Sequence, residues 1–300
     1  MLVQADELWK RFKGVAVLRG LTLAVPEGST LALVGANGAG KTTTMKVLMN
    51  LLEPTAGRAT VLGVDTRRLS PRELAQIGYV SEHQQLPERM TVCDYLNYLR
   101  PFYPTWDRSL EGEIVGQFRL PPDRRMGDLS HGMRIKTALA CALPFRPRLL
   151  LLDEPLTGLD PLIRDEFIDR LKRQAGETTI LMSSHELSEI EQVTTHVAFV
   201  DRGQVTFQEG LNELTSRVRR VTVMLADDMP TPARLPGEWL DVRRSGTILS
   251  FVDTQYSALD SPAKVAAIFG AVHRFDTEPI ALRTIYTSLA RLVRDQEASA

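Results

Sequence analysis

The feature that most restricts the fold of this chain is a glycine-rich stretch, residues 35 to 42, with an apolar run before it and an amphipathic pattern after it. It reads Gly-Ala-Asn-Gly-Ala-Gly-Lys-Thr and matches the pattern GxxxxGK followed by Ser or Thr. In a loop between a strand and a helix, such glycines let successive N–H groups point at phosphate oxygens, and the helix N-terminus adds partial positive charge. The sequence therefore predicts a phosphate-binding loop on an α/β core.

Each residue of this loop has an expected task. Lys41 supplies a point charge for the β and γ phosphates of a nucleotide, and Thr42 offers a hydroxyl to Mg²⁺. A flexible surface turn is the alternative, but the flanking strand and helix patterns argue against it. The predicted nucleotide-binding residues of this stretch are Gly35, Asn37, Gly38, Ala39, Gly40, Lys41, Thr42 and Thr43.

A second motif is a pair of adjacent acids at the end of the apolar run Leu149 to Leu152. Carboxylates at the carboxyl end of a parallel strand lie where α/β sheets bind their ligands. Because side chains alternate along a strand, Asp153 and Glu154 are expected to have different tasks. Asp153 would hold Mg²⁺ through water, and Glu154 would polarise the water that attacks the γ-phosphate. The alternative is a pair of solvated acids that only end the strand.

His185 also follows an apolar run, 32 residues beyond Asp153. A lone histidine after a strand is usually structural. In series with the loop and the acids, its imidazole is expected to hydrogen-bond a γ-phosphate oxygen and the attacking water. Lys41, Glu154 and His185 are therefore the predicted catalytic residues.

The order of the motifs is specific to one family. Leu129 to Met133 begins a helix with Ser130 as a natural N-cap, and Leu156 to Asp160 follows the acid pair. Together with the loop, the acids and His185, these stretches closely resemble the nucleotide-binding subunit of an ABC transporter over residues 1–215. The resemblance implies an ATPase with ATP and Mg²⁺ as cofactors. Its implied fold is a P-loop α/β core with an antiparallel β subdomain and a helical subdomain that carries the signature sequence.

The resemblance also implies a dimer in which two copies, or this chain and a related ATPase subunit, pack head to tail around two ATP molecules. Ser130 and Gly132 then serve the nucleotide that the other subunit holds, and Asp160 meets the opposite subunit. Asp160 also suits the N-cap of the helix that begins at Pro161, and the two roles can coexist. Phe12 is assigned to stacking on the adenine ring, against the alternative of a core aromatic in the first strands.

The sequence departs from the family pattern in two places. The signature reads Ser-His-Gly-Met where Ser-Gly-Gly-Gln is commonest, so His131 brings a side chain to the turn. After an apolar run, Glu82 stands where the family usually has a glutamine. A carboxylate can meet Mg²⁺ or water, but it cannot donate a hydrogen bond when ionised. Glu82 therefore joins Thr42 and Asp153 as a predicted metal ligand, with Gln84 as the alternative residue for this position.

The segment from about residue 85 to 125 contains apolar and aromatic residues interrupted by prolines. In the family, this helical subdomain has a groove that receives a short cytoplasmic helix of the membrane subunit. Most of the apolar side chains are expected in the core. One or two are expected to line the groove, from the set Leu96, Leu99, Phe102, Trp106, Ile114 and Phe118.

The residue pattern changes near residue 216. Beyond it, apolar residues alternate with polar ones around Val221 and Ile248, which predicts a small α+β domain over residues 216–300. We expect this domain to close with a helix from about Pro279 to Arg294. The tail resembles the small accessory domain of exporter-type subunits, and residues 1–215 are expected to form the ATP-binding domain.

Charge and hydropathy restrict the partners. With 36 basic and 37 acidic side chains the net charge is −1, so the chain has no global positive field, and nucleic acid is not an expected partner. The apolar runs are too short to cross a bilayer, and the N-terminus has no secretory signal. The expected location is the cytoplasm, at the inner face of the cell membrane. There the chain would power integral permease subunits, in the direction of export.

The alternative function is that of a soluble ABC ATPase acting on ribosomes or DNA. DNA-repair members of the family carry long coiled-coil insertions, and ribosomal members have two cassettes in one chain. The sequence shows neither feature, which favours the transport function.

Overall fold

The computed structural model describes residues 1–82, 84–185, 190–226, 231–232 and 234–289. The chain forms two compact units, Met1–Gln208 and Glu209–Ala300. The division therefore lies seven residues before residue 216, where the sequence pattern changes. Glu209 is the first residue of the second unit, and its carboxylate accepts hydrogen bonds from Arg217 Nε (2.8 Å) and Nη2 (2.6 Å). Arg217 in turn donates from Nη1 to the Thr254 carbonyl oxygen at 2.6 Å.

The first unit is built on two sheets. Its strands are β1 (Val3–Phe12), β2 (Val15–Val25), β3 (Thr30–Val34), β4 (Ala56–Val61), β5 (Val64–Asp65), β6 (Ile77–Ser81), β7 (Leu149–Asp153), β8 (Thr179–Ser184), β9 (His196–Asp201) and β10 (Gln204–Gly210). The unit boundary falls within β10, after Gln208. Strands β2-β1-β4-β5 pair antiparallel in that order, and β10-β9-β3-β8-β7-β6 form the central sheet. From β9 to β6 the neighbours run parallel. The predicted α/β core with an antiparallel β subdomain is thereby confirmed.

The central strands lie inside the unit, with both faces covered. Every residue of β3 and β7 is buried, as a continuous apolar run predicts for a parallel sheet. In the strand register, Val34 lies opposite Ser184, and Asp153 lies opposite Ser183. The carboxyl ends of β3, β7 and β8 therefore meet at one edge. The phosphate-binding loop, the acid pair and His185 all follow at that edge.

Helices cover and flank the sheets of the first unit. They are α1 (Lys41–Leu48), α2 (Pro71–Leu74), α3 (Val92–Leu99), α4 (Arg108–Gln117), α5 (His131–Ala142) and α6 (Pro161–Gln174). α3, α4 and α5 lie between β6 and β7 in the chain, and α5 contacts both of the others, so they form the predicted helical part. Leu96, Ile114 and Phe118 are buried there as expected, whereas the Phe102 side chain is 59% exposed.

The second unit is a four-stranded antiparallel sheet with a helix packed on it. Its strands are β11 (Arg219–Leu225), β12 (Trp239–Ser245), β13 (Ile248–Asp253) and β14 (Val272–Pro279), and its helices are α7 (Leu211–Arg217), α8 (Asp260–Phe269) and α9 (282–289). The strand order is β12-β13-β11-β14. Alternate residues of β11, Val221 and Val223, pack with Phe251 of β13 and with Val265 and Phe269 of α8. The alternating pattern thus gives one buried sheet face.

The sequence predicts that the closing helix begins at about Pro279, and this prediction is wrong. Pro279 is the last residue of β14, opposite Arg219 of β11, and helix α9 begins at 282. Proline at the end of a strand with only one neighbour costs little, because no ladder hydrogen bond is lost to a second partner. The predicted end of this helix, Arg294, lies outside the described residues.

Candidate functional site

The phosphate-binding loop joins β3 to α1 in a conformation that requires glycine at two points. A Cβ at Gly35 would lie 2.2 Å from the Val200 carbonyl oxygen. Gly40 has a φ of +111°, and a Cβ there would lie 2.8 Å from Leu18 Cδ2. Gly35 therefore lies too close to neighbouring backbone for any side chain, and at Gly40 the left-handed φ and the Leu18 side chain together favour glycine.

The loop is also braced by a distant turn. The N–H of Gly203, in the turn between β9 and β10, donates to the Ala39 carbonyl oxygen at 2.9 Å. The Arg19 N–H of β2 donates to the Gly203 carbonyl oxygen, also at 2.9 Å. The loop is thus held by two segments that lie near the beginning and near the end of the first unit's sequence.

A cavity of about 370 Å³ opens in front of this loop. Its lining contains several predicted residues of the loop together with Glu82 and the acid pair. Among the described residues, its lining consists of Val17, Asn37, Gly38, Gly40, Lys41, Thr42, Thr43, Lys46, Ser81, Glu82, Asp153 and Glu154. Gly35 and Ala39 do not line the cavity but shape the loop behind it. A cleft with backbone N–H groups, two lysines and three carboxylates suits a phosphate chain accompanied by a cation.

Lys41 is a buried cation with its donors turned to the mouth of the loop. Its Nζ donates to the carbonyl oxygens of Gly35 (2.7 Å) and Ala36 (3.2 Å). The same Nζ lies 3.0 Å from Glu154 Oε1, and the lysine side chain is only 6% exposed. A buried ammonium needs such acceptors, and phosphate oxygens satisfy the same donors with full negative charge.

Asp153 and Thr42 form the second part of the site. The Thr42 hydroxyl donates to Asp153 Oδ1 at 3.0 Å, and the Ser183 hydroxyl donates to the same oxygen at 2.7 Å. Asp153 is 3% exposed. A hydroxyl and a carboxylate side by side at the loop are hard oxygen ligands of the type that Mg²⁺ prefers together with phosphate oxygens. The donor set therefore fits a magnesium nucleotide.

Glu154 lies directly after β7 in a left-handed conformation, with a φ of +49°. Its N–H donates to Ser183 Oγ at 2.9 Å, which fixes the backbone turn. Its Oε2 accepts hydrogen bonds from His185 Nδ1 (2.8 Å) and from the Thr157 hydroxyl (3.3 Å). Because an ionised carboxylate can only accept, Nδ1 of His185 is the donor of this bond. The structure thus joins Lys41, Glu154 and His185, the three predicted catalytic residues.

The pKa of Glu154 reflects two opposing effects. Burial favours the neutral acid and by itself raises the pKa. The His185 hydrogen bond and the Lys41 ammonium outweigh burial and hold the pKa below the usual glutamate range. Glu154 is therefore ionised at neutral pH and available as a proton acceptor.

Of the two residues considered for the glutamine position, Glu82 is the one that reaches the phosphate cavity. Its N–H donates to the Asp153 carbonyl oxygen at 3.0 Å, which ties it to the end of β7. Gln84 instead folds back, and its Oε1 accepts from the Ser81 N–H at 3.3 Å. The magnesium role of Glu82 stays a prediction that this position supports. His83, between them, lies outside the described residues.

Phe12 ends β1 with its ring 41% exposed, which does not fit the alternative of a core aromatic. Lys10 Nζ lies 5.1 Å from the centre of the ring. The ring is not part of the phosphate cavity, whereas Val17 of β2 is. Stacking of Phe12 on adenine stays a prediction.

The signature residues cap and pack α5. Ser130 Oγ accepts from the Met133 N–H at 3.3 Å, as the N-cap pattern predicts. A Cβ on Gly132 would lie 2.5 Å from Ile163 Cδ1 of α6, so this glycine allows the two helices to approach. Asp160 Oδ1 accepts from the Ile163 N–H at 3.1 Å and caps α6. Ser130, Gly132 and Asp160 are outside the lining of the phosphate cavity, so any nucleotide role for them needs a second subunit.

Five residues at the site were missed by sequence reasoning: Val17, Lys46, Ser81, Thr157 and Ser183. Ser183 precedes His185 by two positions, and it bonds the acid pair only because β7 and β8 are paired in register. Lys46 is in the amphipathic helix that follows the loop, where helical spacing could have indicated it. Val17 and Ser81 carry no local signal for this role.

Comparison with known proteins adds to this geometry. Residues 18–157 match the family model described as "ABC transporter". The chain is 34% identical over 239 residues to the daunorubicin resistance ATP-binding protein DrrA2 of Streptomyces coeruleorubidus, covering 77% of this chain and 74% of the relative. It is 32% identical to a phosphonates import ATP-binding protein of Synechococcus, covering 72% and 88% of the two chains.

A solved structure described as the ATP binding subunit of an ABC transporter aligns with a TM-score of 0.66 at 27% identity. The alignment covers 72% of this chain and 92% of that one. Within the part of the chain that the structure describes, no helix combines the length and apolar character needed to span a bilayer.

Proposed function

This chain belongs to the ABC transporter ATP-binding proteins, and we propose that it hydrolyses Mg²⁺-bound ATP held between two subunits to power a separate membrane permease. The chain is thus an ATPase subunit of a transporter, as its resemblance to the family indicated. The observation that carries the proposed mechanism is the convergence of Lys41, Asp153, Glu154 and His185 at one edge of the central sheet.

The residues at this edge divide the work of hydrolysis. When bound, ATP supplies the γ-phosphoryl group that is transferred to water, and Mg²⁺ offsets charge on the phosphate oxygens. Lys41 turns its ammonium to the β and γ phosphates, while Thr42 and Asp153 hold their oxygens towards the metal. Glu154 takes a proton from the attacking water. His185 keeps the Glu154 carboxylate oriented through the 2.8 Å bond to Oε2.

Two variants test this assignment on the full chain. Glu154→Gln keeps the size of the side chain but cannot take a proton. We expect ATP turnover to fall by at least about a hundredfold while ATP affinity stays close to that of the wild type. Lys41→Ala removes the buried cation, and we expect it to lose ATP binding itself.

Turnover is measured by phosphate release, and affinity by equilibrium dialysis with a non-hydrolysable ATP analogue. Glu53→Gln and Lys13→Ala are the matched controls, because both residues are exposed in the first unit. Unchanged turnover in Glu154→Gln would remove this residue from its role. Normal ATP affinity in Lys41→Ala would contradict the assignment of the phosphate site.

The proposed partners are a second copy of this chain, or a related ATPase subunit, and integral permease subunits at the cytoplasmic face of the membrane. An exposed pair of aromatic rings, Tyr98 and Phe102, with the half-buried Tyr95 beside it, supports permease docking. Tyr98 and Phe102 are 54% and 59% exposed, with ring centres 5.4 Å apart, and Tyr95 stacks on Tyr98 at 6.3 Å. Adjacent exposed aromatics are typical of a protein interface.

Co-purification from gently solubilised membranes tests docking. We expect an integral membrane protein to co-purify with the wild type and to be lost from the double variant Tyr98→Ser/Phe102→Ser. ATP turnover should persist in that variant, since neither ring lines the phosphate cavity. Enrichment of ribosomes without any integral protein would instead support the soluble ABC ATPase alternative, which the relatives do not favour.

Export is the direction we propose. Of the two relatives compared, the daunorubicin resistance protein has the higher sequence identity to this chain, 34% against 32% for the phosphonates import protein. With daunorubicin as the probe, inside-out vesicles that contain the chain and its permease should accumulate drug when ATP is added. ATP-driven loss of drug from such vesicles would contradict export.

A further inference from the structure

His131, which stands where the family signature commonly has glycine, contacts the segment that follows the acid pair. His131 is the first residue of α5, and its Nε2 lies 3.2 Å from the Thr157 carbonyl oxygen. A carbonyl oxygen only accepts, so Nε2 carries the hydrogen of this bond. The imidazole also lies against the next residue, since a Cβ on Gly158 would be 3.7 Å from the ring. A glycine in place of His131 could make neither contact.

Thr157 continues the link to the proposed catalytic base. Its hydroxyl donates to Glu154 Oε2 at 3.3 Å, and its N–H donates to the Glu154 carbonyl oxygen at 3.3 Å. Glu154 Oε2 is the same atom that accepts from His185. Two consecutive hydrogen bonds therefore lead from the signature turn, through Thr157, to the carboxylate of Glu154.

The helices on either side of this link are held together independently. Gly132 lets α5 approach α6 at Ile163, where a Cβ would lie 2.5 Å from Cδ1. One turn further on, Lys136 of α5 forms an ion pair with Glu166 of α6. The start of α5 and the segment before α6 are thus fixed relative to each other, so packing keeps the 3.2 Å hydrogen bond from His131 in place.

We propose that His131 is a positioning residue for hydrolysis, which holds Thr157 and through it the Glu154 carboxylate, and so ties the signature turn of each subunit to the base of the same subunit. This inference rests on the proposed function, in which that turn serves the nucleotide of the other subunit. Occupancy of one nucleotide site then adjusts the base in the other. The two sites of the dimer are coupled through a contact that lies within one chain.

Three substitutions in the full-length protein separate this role from simple packing. His131→Leu keeps a side chain of similar size but has no hydrogen-bond donor, and His131→Gly removes the side chain altogether. His131→Gln provides an N–H donor on a side chain of similar length. We expect kcat to fall about tenfold in His131→Leu and His131→Gly. Losses of about this size are usual when a residue that orients a functional side chain is removed. ATP affinity should stay within about twofold of the wild type, and the glutamine variant should recover at least half of kcat.

A double-variant comparison tests the route to Glu154. Thr157→Val removes the hydroxyl bond to Glu154 while keeping the carbonyl that His131 contacts. If the link is one unit, Thr157→Val and His131→Leu together should lower kcat no more than the stronger single variant. The Hill coefficient for ATP should fall towards 1 in each, because the sites are no longer coupled.

His273→Leu is the matched control, because His273 is exposed on β14 of the second unit. A kcat and a Hill coefficient equal to those of the wild type in His131→Leu would overturn the inference. So would a double variant whose loss of kcat is the product of the two single losses, or a His131→Gln variant whose kcat does not recover. These outcomes are distinct from failure of the proposed function, in which the wild type itself would not hydrolyse ATP.

Discussion

At the scale of single residues, Ser183 connects the two acids of the site. Its hydroxyl donates to Asp153 Oδ1 at 2.7 Å and accepts the Glu154 N–H at 2.9 Å, and the residue is fully buried. One side chain thus orients the proposed metal ligand and the turn that presents the proposed base. Such a contact lies outside any motif, because it depends on pairing between strands distant in sequence.

We expect Ser183→Ala to weaken ATP turnover about tenfold and to raise the Mg²⁺ concentration needed for half-maximal rate, because both acids lose an oriented partner. The measurement is phosphate release as a function of Mg²⁺ at saturating ATP. Ser29→Ala is the control, since Ser29 is also buried and its hydroxyl donates to the Pro26 carbonyl oxygen. An unchanged magnesium dependence in Ser183→Ala would contradict the role of Ser183 in orienting Asp153.

At the scale of elements, Glu111 anchors α4 to the turn that precedes it. Its Oε2 accepts hydrogen bonds from Arg100 Nε (2.8 Å) and Trp106 Nε1 (2.7 Å). Burial raises the pKa of this carboxyl, but the hydrogen bonds from Arg100 and Trp106 outweigh burial, and the pKa lies below the usual glutamate range. The charged form of Glu111 therefore stabilises the fold.

We expect Glu111→Gln to lower the free energy of unfolding by about 1.5–3 kcal/mol at neutral pH, because a charged acceptor is lost. A carboxyl whose pKa is lower in the folded state stabilises the fold above its unfolded-state pKa, and this contribution is lost as the pH falls through the folded-state pKa. The difference between variant and wild type should be full above about pH 5 and shrink below roughly pH 4.

Urea unfolding at several pH values, followed by circular dichroism, measures this difference. The exposed Glu177 provides the control, since Glu177→Gln should change stability little at any pH. A difference that stays constant from pH 7 to pH 3 would contradict the role of the Glu111 charge.

The elements also show what a sequence can and cannot predict. The loop before α1 and the buried strands β3 and β7 were predictable because their signals are local: glycine spacing and continuous apolar runs. Pro279 was not, because proline suits both the start of a helix and the end of a strand. Its position opposite Arg219 of β11 depends on a partner strand distant in the sequence. Ser183 and the link from His131 to Thr157 were missed for the same reason.

At the scale of the whole molecule, the proposed dimer makes a direct prediction. Ser130 is exposed and outside the phosphate cavity of its own chain. We expect Glu154→Gln to associate into dimers when ATP is added, because the nucleotide persists. The double variant Glu154→Gln/Ser130→Phe should stay monomeric, because a large ring at the start of α5 blocks approach to the phosphates of the other subunit.

Size-exclusion chromatography with light scattering measures the association. Ser109→Phe in the Glu154→Gln background is the control, because Ser109 is an exposed serine in the first turn of α4. Thermal unfolding checks that Ser130→Phe lowers the free energy of unfolding by no more than the loss of an N-cap does, about 1 kcal/mol. ATP-dependent dimers of the Ser130→Phe double variant would contradict the head-to-tail arrangement.

The brace behind the phosphate-binding loop has a consequence for affinity. Gly203 holds Ala39 through one hydrogen bond and is itself held by the Arg19 N–H. The loop is therefore ordered when the chain folds, and nucleotide binding does not have to supply that conformational entropy again. Preorganisation of this kind makes the turn after β9 a determinant of nucleotide affinity, although it contributes no atom to the cavity.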